Sequence, residues 1–277
     1  MGKLDYQLLD FGSGRKLERF GEVVVDRPEV LAVDAPRLKP SEWRRKANAV
    51  FTSTGGQSGK WHWHTPPPLS WEIVYAHSVR RISALLKPGK FKHVGIFPEQ
   101  EKHWDWLSGH ITPGMRVLNL FAYTGMASLV AAVSGGDVFH VDSSGSAVKA
   151  AGENAKHNGL SNIHWVVDDA LTFSQKEVRR GRTYDVVIMD PPVFGKDKKG
   201  GNHRLVDRIS PLVETAARLL VSGGVLLLNT YSPKITLKEM VNTCEKKGLK
   251  HNDSGGLSVN DPHGRNLVLS RYVKAVK

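Results

Sequence analysis

The stretch Asp190-Pro191-Pro192-Val193-Phe194 puts a carboxylate, two prolines and an aromatic ring directly after the apolar run "YDVVIM". Proline donates no backbone hydrogen bond and restricts the residue before it, so the pair stops a strand and holds the backbone beyond it rigid. The proline carbonyls then stand as fixed acceptors and Phe194 offers a flat face, an arrangement that suits a planar base amine or ring. The plainer alternative is a loop that merely ends a strand. Two other apolar runs also end in acid: "VFHVD" closes on Asp142, and "IHWVVD" on Asp168 with Asp169 next. A carboxylate in that position can take the two hydroxyls of a ribose. A helix N-cap is the competing use after Asp142, and Ser143 or Ser144 supplies it equally well. Of Asp168 and Asp169, one suits a cap and the other the exocyclic amine of an adenine; Asp169 is the one assigned to the ligand.

About twenty residues before Asp142, "LNLFAYTGMAS" offers small side chains, Thr124 and Gly125, so the backbone can pass close to a ligand and open a helix near Met126. With one glycine it is not the G-x-G-x-x-G of dinucleotide enzymes, and taken by itself it reads first as an ordinary tight turn. No G-x-x-x-x-G-K phosphate loop occurs. Acidic strand ends without a phosphate site describe an adenosine pocket that fits S-adenosylmethionine better than NAD or ATP.

These residues need a scaffold. From about Gly114, short β-branched runs (116–121, 138–142, 163–168, 184–190, 225–231) alternate with helical spacing. Leu205, Ile209, Leu212, Val213, Ala216, Leu219 and Leu220 fall on one helix face. Alternation of this kind predicts a mostly parallel sheet covered on both sides, with ligands at the carboxyl ends of its strands. The tail "HNDSGGLSVNDPHGRNLVLSRYVKAV" offers two strands with no helix between them, so the last strand is expected to be antiparallel. The expected fold is α/β, with a small N-terminal α+β domain over 1–92 and the cofactor domain over 93–277. In the first domain "YQLLDF", "EVVVDR" and "WEIVYA" read as strands and "KPSEWRRKANAVF" as a short helix opening at Ser41. "TSTGGQSGKWHWHTPPPLS" reads as a loop.

The net charge of +12 over 277 residues favours a polyanionic partner, nucleic acid or an anionic membrane surface. "FGKDKKGGNHR" follows the proline motif, and Lys196, Lys198, Lys199 and Arg204 there suit RNA phosphates; a solvated loop is the alternative. Trp61 and Trp63 can stack on unpaired bases or pack the domain against the sheet. His62 and His64 have no third metal ligand nearby, and no metal site is expected. One cysteine, Cys244, excludes an internal disulfide and suits a reducing interior. The start lacks the apolar core of a signal peptide and no run is long enough to span a bilayer, so a cytoplasmic location is expected.

"VLNLFAYTG", "VDSSGSAVKAAGENAKHNGL", "DDALTF" and "DPPVFG", with "RKLERFGEVVVDRP" and "FKHVGIFPEQEKHWDWL" upstream, resemble class I S-adenosylmethionine-dependent methyltransferases. The closer resemblance is to the bacterial large-subunit ribosomal RNA enzymes of the cytosine-C5 and guanine-N7 group. It implies a Rossmann-like sheet and S-adenosylmethionine as cofactor. It also implies that Phe97, Gln100, Asn119, Phe121, Ala122, Tyr123, Thr124 and Gly125 line the cofactor. Asp142 with Ser143 would take the ribose and Asp168 with Asp169 the adenine side. Asp190, which also borders the cofactor, would face the target base with Pro191, Pro192 and Phe194.

Carbon 5 of a pyrimidine is a poor nucleophile, and its methylation needs a cysteine adduct. Neither the proline motif nor "LLLNTYSPK" holds a cysteine, and Cys244 is in register with Leu237, Met240 and Val241 on an apolar helix face. A base nitrogen remains. Val193 separates the prolines from the aromatic, as in the guanine-N7 relatives, which favours a purine ring nitrogen. A protein or small-molecule methyltransferase, and a cofactor-binding RNA module without turnover, are the rival readings.

Overall fold

A computed structural model describes residues 2–55, 58–76, 80–196 and 202–277, with the side chains of 194–196, 202 and 203 outside that description. The chain divides into two compact units, Met1–Glu101 with Ser258–Leu269, and Lys102–Leu257 with Ser270–Lys277.

In the first unit, β1 (Lys3–Leu4), β7 (Trp71–Ala76) and β8 (Arg81–Leu86) form one sheet. A five-stranded sheet runs in chain order through β2 (Tyr6–Gly12), β3 (Arg15–Phe20), β4 (Val23–Pro28), β5 (Ala49–Gly55) and β6 (Ser58–Trp63). Its one parallel pair, β4 with β5, is bridged by α1 (Pro40–Lys46), which starts one residue before Ser41 because Pro40 suits the first helical position. Within the segment expected as a loop, 52–55 and 58–63 belong instead to β5 and β6, while 64–70 holds no strand: Trp61 packs edge-on against Phe51 at 5.1 Å, and Trp63 against Trp71 at 6.4 Å. Those ring contacts, invisible to local propensity, outweigh the glycines. Glu18 is fully buried between Arg27, Lys16 and Tyr6. Burial alone would raise its pKa, yet the Arg27 and Lys16 charges hold it down at about 2.

The second unit opens with α2 (Glu101–His110), entered through a 3-10 turn at Pro98–Gln100. Then follow β9 (Arg116–Leu120), α3 (Met126–Val133), β10 (Asp137–Asp142), α4 (Gly145–His157), β11 (Ile163–Val167), α5 (Ala170–Arg179) and β12 (Tyr184–Met189). After them come β13 (Phe194–Lys196), β14 (Asn202–Arg204), α6 (Leu205–Leu219), β15 (Leu220–Thr230), α7 (Leu237–Glu245), β16 (Lys250–Asn260) and β17 (Asn266–Val276). The main sheet has the order β11-β10-β9-β12-β15-β17-β16. The pairs from β11 to β15 are parallel, and β17 runs antiparallel to β15, as expected.

Alternation along β9 explains the layers. Leu118 and Leu120 join the core that contains Phe173 of α5, the apolar face of α6 and Met240 of α7. Asn119, pointing the other way, meets Ser128 of α3. Each strand thus serves two helix layers, which is why the runs are nearly continuous in apolar residues. The helix face read from Leu205 to Leu219 is buried throughout, while Leu220 already begins β15. Among the described residues no helix is long and apolar enough to cross a membrane.

Candidate active site

The strand order reverses at β9, whose successors β10 and β11 lie on one side and β12 on the other. A crevice outside the carboxyl ends is expected at such a switch point. The acids that close the strands and the loop after β9, picked out from the sequence, stand at those strand ends. Asp142 ends β10, Asp168 and Asp169 follow β11, Asp190 follows β12, and residues 121–125 follow β9.

The loop after β9 is shaped by unusual backbone. Phe121 and Tyr123 both take left-handed φ, 59° and 51°, and Gly125 has φ 92°. Non-glycine residues adopt that region at a cost, and such strain concentrates where backbone must face a ligand. Gly125 is required twice over, since a Cβ there would lie 2.9 Å from Ala151 Cβ on α4. Bonds from below hold the loop: Ala122 N donates to Val141 O at 3.1 Å, Gly125 N to Ala122 O at 3.0 Å, and Asn154 Nδ2 to Thr124 O at 3.1 Å.

Asp142 is tied to this loop. Its Oδ2 accepts from Tyr123 N at 2.9 Å and its Oδ1 from Ser144 N at 2.8 Å. Each carboxylate oxygen has a second lone pair, so the group is oriented by backbone and keeps acceptor capacity for a diol. The N-cap of α4 is Ser144, whose Oγ accepts from Ala147 N; Ser143 is exposed. Asp142 is therefore spared the capping job.

The pair after β11 divides its work otherwise than expected. Asp169, assigned to the ligand alone, is the N-cap of α5: its Oδ1 accepts from Thr172 N and Thr172 Oγ1, both at 2.9 Å. Arg208 of α6 approaches both its oxygens at 3.3 Å. Burial works to raise its pKa, but the Thr172 bonds and the Arg208 charge hold it below the usual carboxylate range. Asp168 accepts from Asp169 N at 2.8 Å and from Lys176 Nζ at 2.8 Å, and its own N–H donates to Asp142 O at 3.1 Å. The cap fell to Asp169 because it immediately precedes the first helical residue, where a side-chain acceptor reaches the third backbone N–H.

Asn119 departs from its expected place along the cofactor. It is 3% exposed, and its Nδ2 donates to Ser128 Oγ at 2.9 Å, which itself lies 3.0 Å from His140 Nδ1. As a mid-strand residue on the α3 side it supports the loop from beneath. Burial pushes His140 down to about 4, with the Tyr123 backbone working against it. Ser128 Oγ accepts from Asn119 and shares a hydrogen bond with the His140 ring, so three elements are cross-linked under the strained loop.

At the end of β12, Asp190 Oδ1 accepts from Asn229 Nδ2 at 2.8 Å, and Asn229 Oδ1 accepts from Ser270 Oγ at 3.0 Å. Pro191 is buried and Pro192 exposed. The basic stretch expected as a loop begins and ends as a short hairpin, Phe194 pairing with Arg204 and Lys196 with Asn202. The side chains of Phe194 and Lys196, and all of Lys198 and Lys199, lie outside the described residues. Arg204 is exposed and bonds Asp207 at 3.1 Å. Phe97 and Gln100 belong to the first unit, half-buried, Phe97 beside His93 at 5.0 Å. That unit also holds a cavity of about 580 Å³ near Tyr6, Val74 and Arg81, which none of the predicted site residues lines.

Sequence reasoning missed Asn229, Ser270, Ser128, His140 and Arg208. The available signal was a polar residue inside an apolar run, as in "LLLNTY" and "VFHVD". Cys244 is fully buried in the core, its thiol pushed up to about 12 by burial.

A crystal structure of an S-adenosylmethionine-dependent methyltransferase from Agrobacterium tumefaciens is 33% identical, with TM-score 0.89, covering 98% of this chain and 90% of that one. A Methanocaldococcus jannaschii protein named as a ribosomal RNA large subunit methyltransferase is 36% identical over 195 residues, 70% of this chain and 46% of that protein. Ribosomal RNA large subunit methyltransferase I of Aeromonas hydrophila is 40% identical over 126 residues, 44% of this chain and 30% of that protein. The chain spans less than half the length of these curated relatives. The family described as S-adenosylmethionine-dependent methyltransferase matches residues 54–250, and the chain, with its strand-end acids at the switch point, belongs to that family.

Proposed function

We propose that this chain methylates a base nitrogen of RNA, with a purine ring nitrogen such as guanine N7 in large-subunit ribosomal RNA as the target. The observation that carries the reading is the pair of oriented carboxylates at the ends of β10 and β12, Asp142 and Asp190, together with the burial of the sequence's one thiol. A ring nitrogen holds its own lone pair and needs no covalent adduct, so a crevice without a cysteine nucleophile suffices.

S-adenosylmethionine, when bound, supplies an electrophilic methyl group. The chain's own residues do the rest by positioning. Asp142 takes the ribose hydroxyls, and Ser143 borders them. Asp168 and Asp169 mark the adenine side, where Asp169 both caps α5 and contributes negative charge. Phe121, Ala122, Tyr123, Thr124 and Gly125 present their strained backbone to the methionine end. Asp190, held by Asn229, accepts from the target base, whose plane rests against Pro191, Pro192 and Phe194. In-line geometry of this kind supplies much of the acceleration of a displacement, and a base in folded RNA must leave its stack to reach it. Lys196, Lys198, Lys199 and Arg204 bind the flanking phosphates. Residues 1–92 act as an accessory domain to the catalytic part, 93–277.

The test is methyl transfer from labelled S-adenosylmethionine to large-subunit ribosomal RNA, with the product nucleoside identified. 7-methylguanine or another N-methylated base supports the reading, and Asp190→Ala should abolish it. A 5-methylcytosine product, label that survives ribonuclease, or binding of donor and RNA without any turnover would each refute it in favour of another reading.

A further inference from the structure

We infer that the first unit carries an RNA-docking face, built from α1 and the outer edge of the five-stranded sheet, which grips phosphates; the inference rests on the RNA reading above. Five basic side chains of this unit are held in ion pairs. Arg15 bonds Asp26 at 2.7 Å, Lys16 meets Glu18 at 3.2 Å, Arg19 meets Asp5 at 2.7 Å, Arg27 meets Glu18, and Arg265 meets Asp261 at 2.7 Å. Arg37, Lys39, Arg44, Arg45, Lys46 and Lys60 are different. All six are exposed, and among the described residues none has a carboxylate within ion-pair reach. Glu42 is occupied with the backbone N–H of Lys39 at 3.2 Å, and Asp10 with those of Arg37 at 3.3 Å and Leu38 at 2.8 Å.

Helix α1 and Lys60 share one side of the sheet. Trp43 of α1 and Val50 of β5 belong to one packed cluster, so α1 lies over the sheet face that Val50 shows. Val50 stands opposite His62 and Thr52 opposite Lys60. Directly opposed residues of an antiparallel pair share a face, so Lys60 and His62 emerge beside α1, on the outermost strand. Trp43 points inward, and the next three residues, Arg44 to Lys46, are all exposed.

Helix-dipole complementarity does not account for the cluster. Cations at the last turn of α1 suit the dipole, but Lys39 sits at its N-terminal cap, the unfavourable end, and Arg37 and Lys60 lie off the helix. Unpaired like charges repel one another, and an external polyanion removes that cost by releasing its counterions. The exposed Val30 and Val33 on the approach to α1 raise the alternative of an anionic bilayer. RNA is favoured because α1 has only seven residues and its aromatic is turned inward, leaving no apolar helix face to enter lipid.

The test uses the full chain with Arg44, Arg45, Lys46 and Lys60 all changed to Glu. Binding to a transcript of large-subunit ribosomal RNA is measured across salt, alongside thermal melting and calorimetric titration of S-adenosylmethionine. The variant should bind RNA at least tenfold more weakly and lower the log–log salt slope by about 2 to 3, at roughly 0.7 per lost phosphate contact. Melting and donor binding should stay as in the unaltered chain. If the Glu variant does not fold, the same four changes to Gln give the same readout with a smaller effect. Unchanged affinity and slope overturn the inference alone. So does retention of the unaltered chain, and not the variant, by vesicles of equimolar phosphatidylcholine and phosphatidylglycerol, with RNA binding alike for both. If the unaltered chain neither binds nor methylates RNA, the functional reading falls first and the docking face with it.

Discussion

Asn229 reaches Asp190 from the end of β15, 2% exposed, with Ser270 fixing its other end. It touches neither substrate nor cofactor in the proposed scheme and acts through Asp190, as a positioning residue. Asn229→Ala removes one hydrogen bond to a carboxylate, and bonds to charged groups contribute about 1.5–3 kcal/mol. If that contribution is expressed in the transition state, kcat/KM for the RNA falls roughly 10- to 150-fold. Ser270→Ala removes only a neutral bond one step further back, about 0.5–1.5 kcal/mol, so its effect is smaller. The assay is labelled methyl transfer at saturating donor, with the donor's Kd from calorimetry and melting as a check on folding. The loss should exceed any change in donor affinity. Asn229→Asp gives a sharper signature. Two carboxylates about 3 Å apart share one proton, so this variant should recover activity as pH falls, whereas the unaltered chain should not. Full turnover in Asn229→Ala, a Ser270→Ala defect larger than that of Asn229→Ala, or no pH dependence peculiar to Asn229→Asp would refute the reasoning.

Gly125→Ala should destabilise the chain by at least about 1–2 kcal/mol from the left-handed backbone alone, with the Ala151 contact adding to it; denaturant melts check this, and donor titration should weaken in parallel. Burial holds His93, His103 and His140 down to about 3, 3 and 4. Below the ordinary pH 6.5 the unfolded chain therefore binds more protons than the folded one. The stability these neutral rings confer is complete above pH 6.5 and drains away as pH drops toward 4, at up to about 1.4 kcal/mol per pH unit for each ring. His140→Asn should flatten that decline in urea midpoints by about one proton; an unaltered slope would show the ring is not neutral in the fold. Cys244→Ala should keep turnover within about twofold while lowering the melting midpoint through a small cavity. Lost turnover with an intact melt would instead point to a thiolate mechanism.

The strand-end acids were legible because their environment is local: an apolar run, then a carboxylate, then a helix. The helix face of α6 was legible for the same reason, as a period of 3.6 needs no partner to be seen. The hairpins at 49–63 and 194–204 were not. Glycines and charges argue locally for loops, and only cross-strand partners such as Phe51 with Trp61 argue otherwise. Asn119 looked like a ligand residue by its place in the motif, yet strand alternation turns its amide to Ser128.

By itself, then, the sequence determined the alternation of strands and helices from β9 to β12, the acids that close those strands, and the lack of a cysteine where carbon methylation would need one. Tertiary structure alone decided that Asp169 is the cap and Asp142 is not. It likewise decided that Asn229 and Ser270 stand behind Asp190, and that residues 258–269 belong with the first unit. The physical reason is range. Periodicity and capping act within a few residues, whereas a hydrogen bond between positions 39 or 41 apart exists only once packing has brought its ends together.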